Sequence, residues 1–383
     1  MKIGITCYPT YGGSGAVATE LGIELADRGH EVHFISYAQP FRLTHFHERV
    51  FFHEVEVNRY PLFEYPPYSL ALAVTMHEVA KREKLDILHV HYAIPHATAG
   101  WIARDMLHET GHDVKLVTTL HGTDITLVGQ DPSYWAITKF SIEKSDRLTA
   151  VSRWLRDQTI DDFACSKCAI DVIPNFIDPA VYNRDQATGR NALANPEEKV
   201  VMHISNFRQV KRIPDVIEIF RRIQEKVPAR LILVGDGPQR QPAEDLADEF
   251  GISDRVVSLG KFESVSELLA CADLFLLPSE QESFGLVALE AQASGSPVVG
   301  SGSTGLAEVV EHGVTGALHD VGDTEAMAAS AIEVLSDGDL WRRQSEAAIH
   351  RAVENFAAAK VIPRYEQLYD EVLGNASSET SAA

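Results

Sequence analysis

Short runs of aliphatic and β-branched residues alternate with amphipathic stretches along the whole chain. That alternation marks βαβ units, in which helices cover parallel strands buried on both faces. The predicted fold class is α/β. In the first half the predicted strands are KIGITCY, EVHFISY, ILHVHY, KLVTTLH and RLTAVS, with helix-like segments between them. After Cys168 the run AIDVIPNFID has the Pro, Asn and Asp density of a connector. Beyond it KVVMHISN, RLILVGDG, VVSLGKF, LFLLPS and PVVGSG form a second series, each followed by a helical pattern. The second half repeats the architecture of the first without repeating its sequence.

A chain of 383 residues exceeds the size, about 250 to 300 residues, at which a single hydrophobic core stops growing. The expected division is a first domain over 1–172 and a second over 173–359. A helix over 360–373 follows the second sheet and is expected to return to the first domain. The small, polar tail 374–383 reads as disordered.

Hydrophobic residues at 45% and charged residues at 23% are ordinary globular usage. A net charge of −21 argues against nucleic acid or an anionic membrane as partner, because both require clustered positive charge. It does not prevent a few cations and helix N-termini from holding a small anion in one cleft. The N-terminus MKIGITCYPT lacks the features of a signal peptide, and apolar stretches such as 274–278 are too short to span a bilayer. A cytoplasmic protein with no membrane segment is expected. Four cysteines, Cys7, Cys165, Cys168 and Cys271, are too few for a disulfide framework, so reduced thiols are expected. CSKC at 165–168 lacks the second pair that zinc would need and the early-strand position of a thioredoxin motif, and it receives no function.

Several motifs fall where strands end. GGSG, with Gly13, Ser14 and Gly15, lies between KIGITCY and the helical pattern AVATELGIELADRG. Bare backbone N–H groups and the positive end of the helix dipole can there face a diphosphate. The alternative is a glycine turn needing positive φ. GGSGAVA lacks the G-x-G-x-x-G frame and no GxxxxGK[ST] occurs, which lowers the dehydrogenase and P-loop readings. TLHGTD places His121 at the end of KLVTTL, where open α/β sheets bind ligands; the alternative is a histidine that only bonds its loop. HVHYAIPHA offers His89, His91 and His96 without a carboxylate in register, so no metal is expected. SNFRQVKR puts Arg208 and Lys211 after the first strand of the second half, either to neutralise a leaving diphosphate or as a solvated basic loop. In PSEQESFGLVALEAQASGSPVV, 278–299, Glu282 precedes a helix begun by Phe284, Gly285 and Leu286, and Glu290 lies along it. Its apolar neighbours favour a partly buried carboxylate needing a partner over an exposed one.

The E-x7-E arrangement from Glu282 to Glu290, with SFGL between, resembles that of the retaining GT-B glycosyltransferases of family GT4. GGSG, HGTD, VSRWL, SNFRQVKR, VGDGP and LGKF follow the family order, so the resemblance covers essentially the whole chain. It implies two Rossmann-like domains facing an interdomain cleft, an N-terminal acceptor domain and a C-terminal domain for the UDP-sugar. Longer strings, TCYPTYGGSGAVATELG, FHEVEVNRYPLFEYPPY, HVHYAIPHATAG, TTLHGTDITLVGQDPS and HISNFRQVKR, resemble the branch that moves N-acetylglucosamine from UDP-N-acetylglucosamine (UDP-GlcNAc) to L-malate in bacillithiol biosynthesis.

By that resemblance Glu290 binds the ribose hydroxyls and Glu282 approaches the 3-hydroxyl of the donor sugar. Arg208 and Lys211 match the diphosphate-binding cations, and His121 matches the histidine near the sugar 6-hydroxyl. Ser283, Phe284, Gly285 and Leu286 match sugar and phosphate contacts. Gly260, Lys261 and Phe262 match the turn at the uracil edge, with Gly13, Ser14, Gly15 and Asn206 completing the donor set. Acceptor carboxylates would lie near Ser14, Tyr92, Thr119, His121, Arg153 and Asn206. The implied reaction retains configuration and needs no cofactor and no divalent metal. The departing phosphate oxygen takes the hydroxyl proton, since no carboxylate is obviously placed as base. The rivals are another GT4 acceptor (a sugar, inositol or lipid), a UDP-GlcNAc 2-epimerase and a nonenzymatic nucleotide-sugar sensor. A homo-oligomer stays open.

Overall fold

A computed structural model of the chain describes residues 1–10, 12–57, 64–165 and 168–374. The chain divides into two compact units, one of 1–174 with the segment from Val361 onward, the other Asn175–Lys360.

The first unit holds a parallel sheet of β1 (Lys2–Thr6), β2 (Glu31–Ser36), β3 (Val50–Glu54), β4 (Ile87–His91), β5 (Lys115–Leu120), β6 (Arg147–Ala150) and β7 (Ile170–Val172). Their spatial order is β3-β2-β1-β4-β5-β6-β7. Central β4, ILHVH, is buried at every position, as expected of a strand covered on both faces. Leu88, Val90 and Leu116 pack with Leu72, Met76 and Val79 of the helix Tyr68–Glu83 and with Ala103 and Leu107 of the helix Thr98–His108.

The second unit is built on β8 (Lys199–Ser205), β9 (Ala229–Gly235), β10 (Val256–Gly260), β11 (Leu274–Leu277), β12 (Val298–Ser301) and β13 (Gly316–His319). These are also parallel, in the order β10-β9-β8-β11-β12-β13. The helix Ile213–Gln224 shows why its sequence folds this way. Ile213, Val216, Ile217, Phe220 and Ile223 recur at helical spacing and are buried, while Asp215 in the first turn and Arg221 and Arg222 in the last suit the dipole. Each such large apolar side chain contributes about 1.5 to 3 kcal/mol by leaving water.

In each sheet the winding direction reverses once, between β1 and β4 and between β8 and β11. Loops leaving the carboxyl ends of those strand pairs diverge and leave a crevice. GGSG follows β1 and His91 ends β4, whereas SNFRQVKR follows β8 and PSEQESFG follows β11. Topology alone therefore delivers the singled-out motifs to two crevices, one in each unit.

The structure departs from the sequence reading in several places. β3, β7 and β13 were not anticipated, and β7 lies inside the run read as a connector. All are edge strands. An edge strand is not covered on both sides, so its sequence need not be a continuous apolar run; VFFHE of β3 is only partly buried. Cys165 and Cys168 form a disulfide with Cα atoms 5.4 Å apart, correcting the expectation of reduced thiols for that pair. Cys7 and Cys271 are free and buried. The helix expected from Phe284 begins at Leu286. The closing helix runs over Ala358–Leu373 and buries Tyr365 and Tyr369 completely. Tail residues 375–383, NRYPLF at 58–63, Tyr11 of GGSG's flank and Ser166 and Lys167 of CSKC lie outside the described residues.

Candidate active site

In the first unit the helix Gly13–Asp27 starts without a side-chain cap, so its first N–H groups, at Gly13, Ser14 and Gly15, keep the exposed positive end of the dipole. Gly12 has an extended φ of 165°, so the run is not a positive-φ turn. Glycine is required at 15 for a different reason: a Cβ there would lie 2.6 Å from the Tyr8 carbonyl oxygen. The incoming chain passes directly against the helix start.

β4 is followed by Tyr92, a non-glycine residue at φ 91°, a strained conformation typical of sites held by their surroundings. Its N–H donates to the Thr119 carbonyl at 2.9 Å. The side chains of Ser14 and Thr123 hydrogen-bond the phenol, and burial pushes its pKa up to about 12, so it stays neutral. Tyr8 packs edge-on against Tyr92 and tilts over His96.

Beneath these rings lies a histidine cluster. His91 Nδ1 is 2.8 Å from His121 Nε2. His89 bridges Tyr369 OH and Thr119 Oγ1, each at 2.7 Å. His96 Nδ1 donates to the His91 carbonyl at 2.5 Å. Burial lowers His89 and His121 to about 3 and His96 to about 4, and holds His91 well below its ordinary value. All are neutral near pH 7. Asp124 accepts the backbone N–H of Ala93 and Gly122 at 2.9 Å and of His121 at 3.3 Å; burial raises its pKa to about 6. It joins the ends of β4 and β5 in one frame.

Ser14, Tyr92 and His121 thus meet, with the Tyr92 and His121 rings 5.4 Å apart. Thr119 is placed differently. Its hydroxyl is fully buried between His89 and Thr149, inside the sheet. Arg153 opens the helix Arg153–Phe163, which Ser152 caps through the Leu155 N–H at 3.0 Å. It is exposed and has no ion pair or hydrogen bond among the described residues.

In the second unit Lys211 Nζ lies 2.6 Å from Glu282 Oε1. The two loops that carry them are also tied by the Glu280 N–H to the Val210 carbonyl at 2.8 Å. Thr304 Oγ1 accepts the Glu282 N–H at 3.0 Å. Glu290 is 4% exposed and accepts a 2.7 Å hydrogen bond from Tyr182 OH, so it is the partnered buried carboxylate rather than a surface residue. Gly285, at φ 92°, precedes the uncapped helix Leu286–Ala293, a conformation that favours glycine. Phe284 is buried with its ring packed against Phe356, which leaves only its main chain for any ligand contact. Ser283 is half-buried, and Asn206 and Arg208 are exposed; Arg208 has no protein partner among the described residues. Gly260, Lys261 and Phe262 close edge strand β10, with both side chains exposed.

Sequence reasoning gave Asp124 of HGTD no role of its own and did not single out Tyr182, Thr304 or the partnership of His91 with His121. Tyr182 and Thr304 sit in loops with no periodic signal, whereas the H-x-H spacing of 89 and 91 was a signal read only for metal. Among the described residues no group of three or more His, Cys, Asp or Glu side chains is placed to hold a metal ion.

Two family models match the chain, "Glycosyltransferase Family 4" over residues 11–181 and "Glycosyl transferases group 1" over residues 185–351. Over 375 residues, 97% of either chain, it is 51% identical to N-acetyl-alpha-D-glucosaminyl L-malate synthase of Bacillus anthracis. The chain belongs to glycosyltransferase family 4. This glycosyltransferase is also 30% identical over 371 residues to D-inositol 3-phosphate glycosyltransferase of Nocardia farcinica, covering 89% of its own length and 81% of that protein's. Among solved structures it resembles a sucrose-phosphate synthase from Thermosynechococcus elongatus, with TM-score 0.81, 21% identity and coverage of 98% and 100%. It also resembles Anabaena HepE in complex with UDP and glucose, with TM-score 0.78, 21% identity and coverage of 97% and 100%. At such identity these structures speak for the fold, the GT-B arrangement of two parallel-sheet, Rossmann-like domains.

Proposed function

We propose that this glycosyltransferase moves N-acetylglucosamine from UDP-GlcNAc to the hydroxyl of L-malate with retention, releasing UDP, as a step of bacillithiol biosynthesis. The observation that carries the reading is 51% identity over 97% of both chains to a synthase named for that product. The donor occupies the crevice of the second unit and L-malate that of the first.

Several of the donor roles have support in the geometry. Glu290, buried and oriented by Tyr182, takes the ribose hydroxyls. Glu282 holds Lys211 through Oε1, while its Oε2, with no hydrogen bond among the described residues, accepts from the sugar 3-hydroxyl. Gly260, Lys261 and Phe262 border the uracil. During transfer the malate oxygen bonds to the anomeric carbon, the bond from that carbon to the β-phosphate oxygen breaks, and the departing oxygen takes the hydroxyl proton. Negative charge grows on UDP. Arg208, which has no side-chain partner among the described residues, Lys211 and the uncapped N–H groups from Leu286 onward oppose that charge without a divalent metal. On the acceptor side Ser14, Tyr92 and Arg153 meet the malate carboxylates, and Thr119 acts through its backbone contact to Tyr92. His121, neutral, contacts the donor sugar. We place the enzyme in the cytoplasm, where both substrates are dissolved; among the described residues no helix is long and apolar enough to cross a membrane.

The test is to mix the purified chain with UDP-GlcNAc, L-malate and EDTA, follow UDP and weigh the product. L-malate-dependent UDP release with a mass of GlcNAc-malate is expected. Release that ignores L-malate but responds to D-inositol 3-phosphate overturns the acceptor assignment, and a requirement for added magnesium overturns the metal-free account.

A further inference from the structure

His91 touches none of the proposed ligand positions, yet its place is chemically demanding. It is fully buried at the end of a strand whose neighbours Ile87, Leu88 and Val90 are aliphatic, and its Nε2 has no hydrogen-bond partner among the described residues. Such an unpaired interior atom costs about 1 to 3 kcal/mol, so an aliphatic residue would suit the strand better on stability alone. What the imidazole adds beyond packing on the His89 ring is one hydrogen bond, Nδ1 to His121 Nε2 at 2.8 Å, with the rings stacked at 27° and 5.0 Å.

Both rings are neutral, so that contact holds a single proton. Its position follows from the neighbours. His96 Nδ1 faces the His91 carbonyl, which can only accept; His96 therefore carries its proton on Nδ1 and leaves Nε2 bare, unpartnered and buried. The same interior accommodates a bare Nε2 on His91 in the same way. An orphaned interior N–H is the rarer arrangement. His91 then carries its proton on Nδ1, His121 Nε2 accepts it, and the His121 proton is confined to Nδ1, which has no protein partner among the described residues. We propose that His91 is a positioning residue that donates from Nδ1 to His121 Nε2 and so fixes His121 as the tautomer offering an Nδ1–H to the substrate. Which ring nitrogen carries the proton is set by the bond the other one makes. The catalytic consequence rests on the reading of His121 as a sugar contact; the tautomer itself does not.

Nitrogen NMR of the full chain labelled with 15N-histidine tests this, with His121 assigned from the spectrum of His121→Gln. In the wild type His121 should show a protonated Nδ1 and a bare Nε2. A wild-type His121 protonated on Nε2 overturns the proposal whether or not any variant folds. His91→Leu should scramble that pattern and lower kcat roughly 10- to 100-fold, as loss of orientation does, with KM for UDP-GlcNAc changing less. His91→Asn, which can place an amide donor near the former Nδ1, should restore much of both. If His91→Leu leaves the His121 pattern unchanged, the proposal fails. If the tautomer is as stated but L-malate does not support UDP release, the functional reading fails instead and this one stands.

Discussion

Lowering the pH should loosen the first unit more than the second. His89, His91 and His96 are fully buried, and their folded pKa values, about 3 for His89, about 4 for His96 and well below ordinary for His91, lie far under 6.5. A depressed pKa leaves stability untouched above 6.5 and removes it as pH falls toward the folded value, because the unfolded chain binds protons that the folded one refuses. At pH 5, about 1.5 units below the unfolded value, His89, His96 and His121, the last also lowered to about 3, each disfavour folding by about 2 kcal/mol, or about 6 together, and His91 acts in the same direction. Asp124 works in the other direction: its folded pKa, raised to about 6 from 3.8, returns about 1.4 kcal/mol between pH 7 and pH 5. The net loss in the first unit is about 5 kcal/mol. In the second unit His203, buried and lowered to about 4, contributes about 2 kcal/mol by the same reasoning. Hydrogen exchange read peptide by peptide at pH 7 and pH 5, corrected for intrinsic rates, separates the units. Equal losses of protection in both, or a larger loss in Asn175–Lys360, would refute the reasoning.

Arg208→Ala removes an exposed, unpartnered cation and should leave the urea midpoint unchanged while reducing kcat about 100- to 1000-fold; wild-type UDP release from this variant would sink the electrostatic account. Tyr182→Phe deletes a hydrogen bond to a buried carboxylate, worth about 1.5 to 3 kcal/mol, so calorimetry should show weaker UDP binding and chemical denaturation a lower stability. Unchanged values in both would mean that Tyr182 does not orient Glu290. Four cysteines less the bonded pair leaves Cys7 and Cys271, so denatured, unreduced protein should react with thiol reagent twice and reduced protein four times.

Most strands legible in the sequence are those packed on both faces, and the edge strand Val256–Gly260 was read as well, from its apolar VVSLG run. ILHVH and LFLL read as strands because every position is buried, whereas VFFHE and GALH read as nothing because edge positions mix environments. The motifs were legible for a related reason: glycines and charges interrupting apolar runs mark strand ends, where the ligand crevices of this fold lie. Pairings across the chain were not. Glu290 could be seen to need a partner, but Tyr182 lies 108 positions away, and nothing local announces it. The histidines were weighed only as metal ligands and set aside for want of a carboxylate in register, and their burial against one another could not be read from spacing. Cys165 and Cys168 likewise gave no local sign of being bonded to each other.

The phenols of Tyr365 and Tyr369 close the interior of a unit whose other residues end at Pro174. During synthesis the ribosome must therefore pass Tyr369, well beyond the second unit's sheet, before that interior can be completed. Until then His89 lacks the hydroxyl that it meets in the finished fold. A fragment stopping at 174 would carry a void the size of two aromatic rings, so expressing this half alone should give a sticky, partly ordered product. Adding the closing helix in trans as a peptide should rescue it.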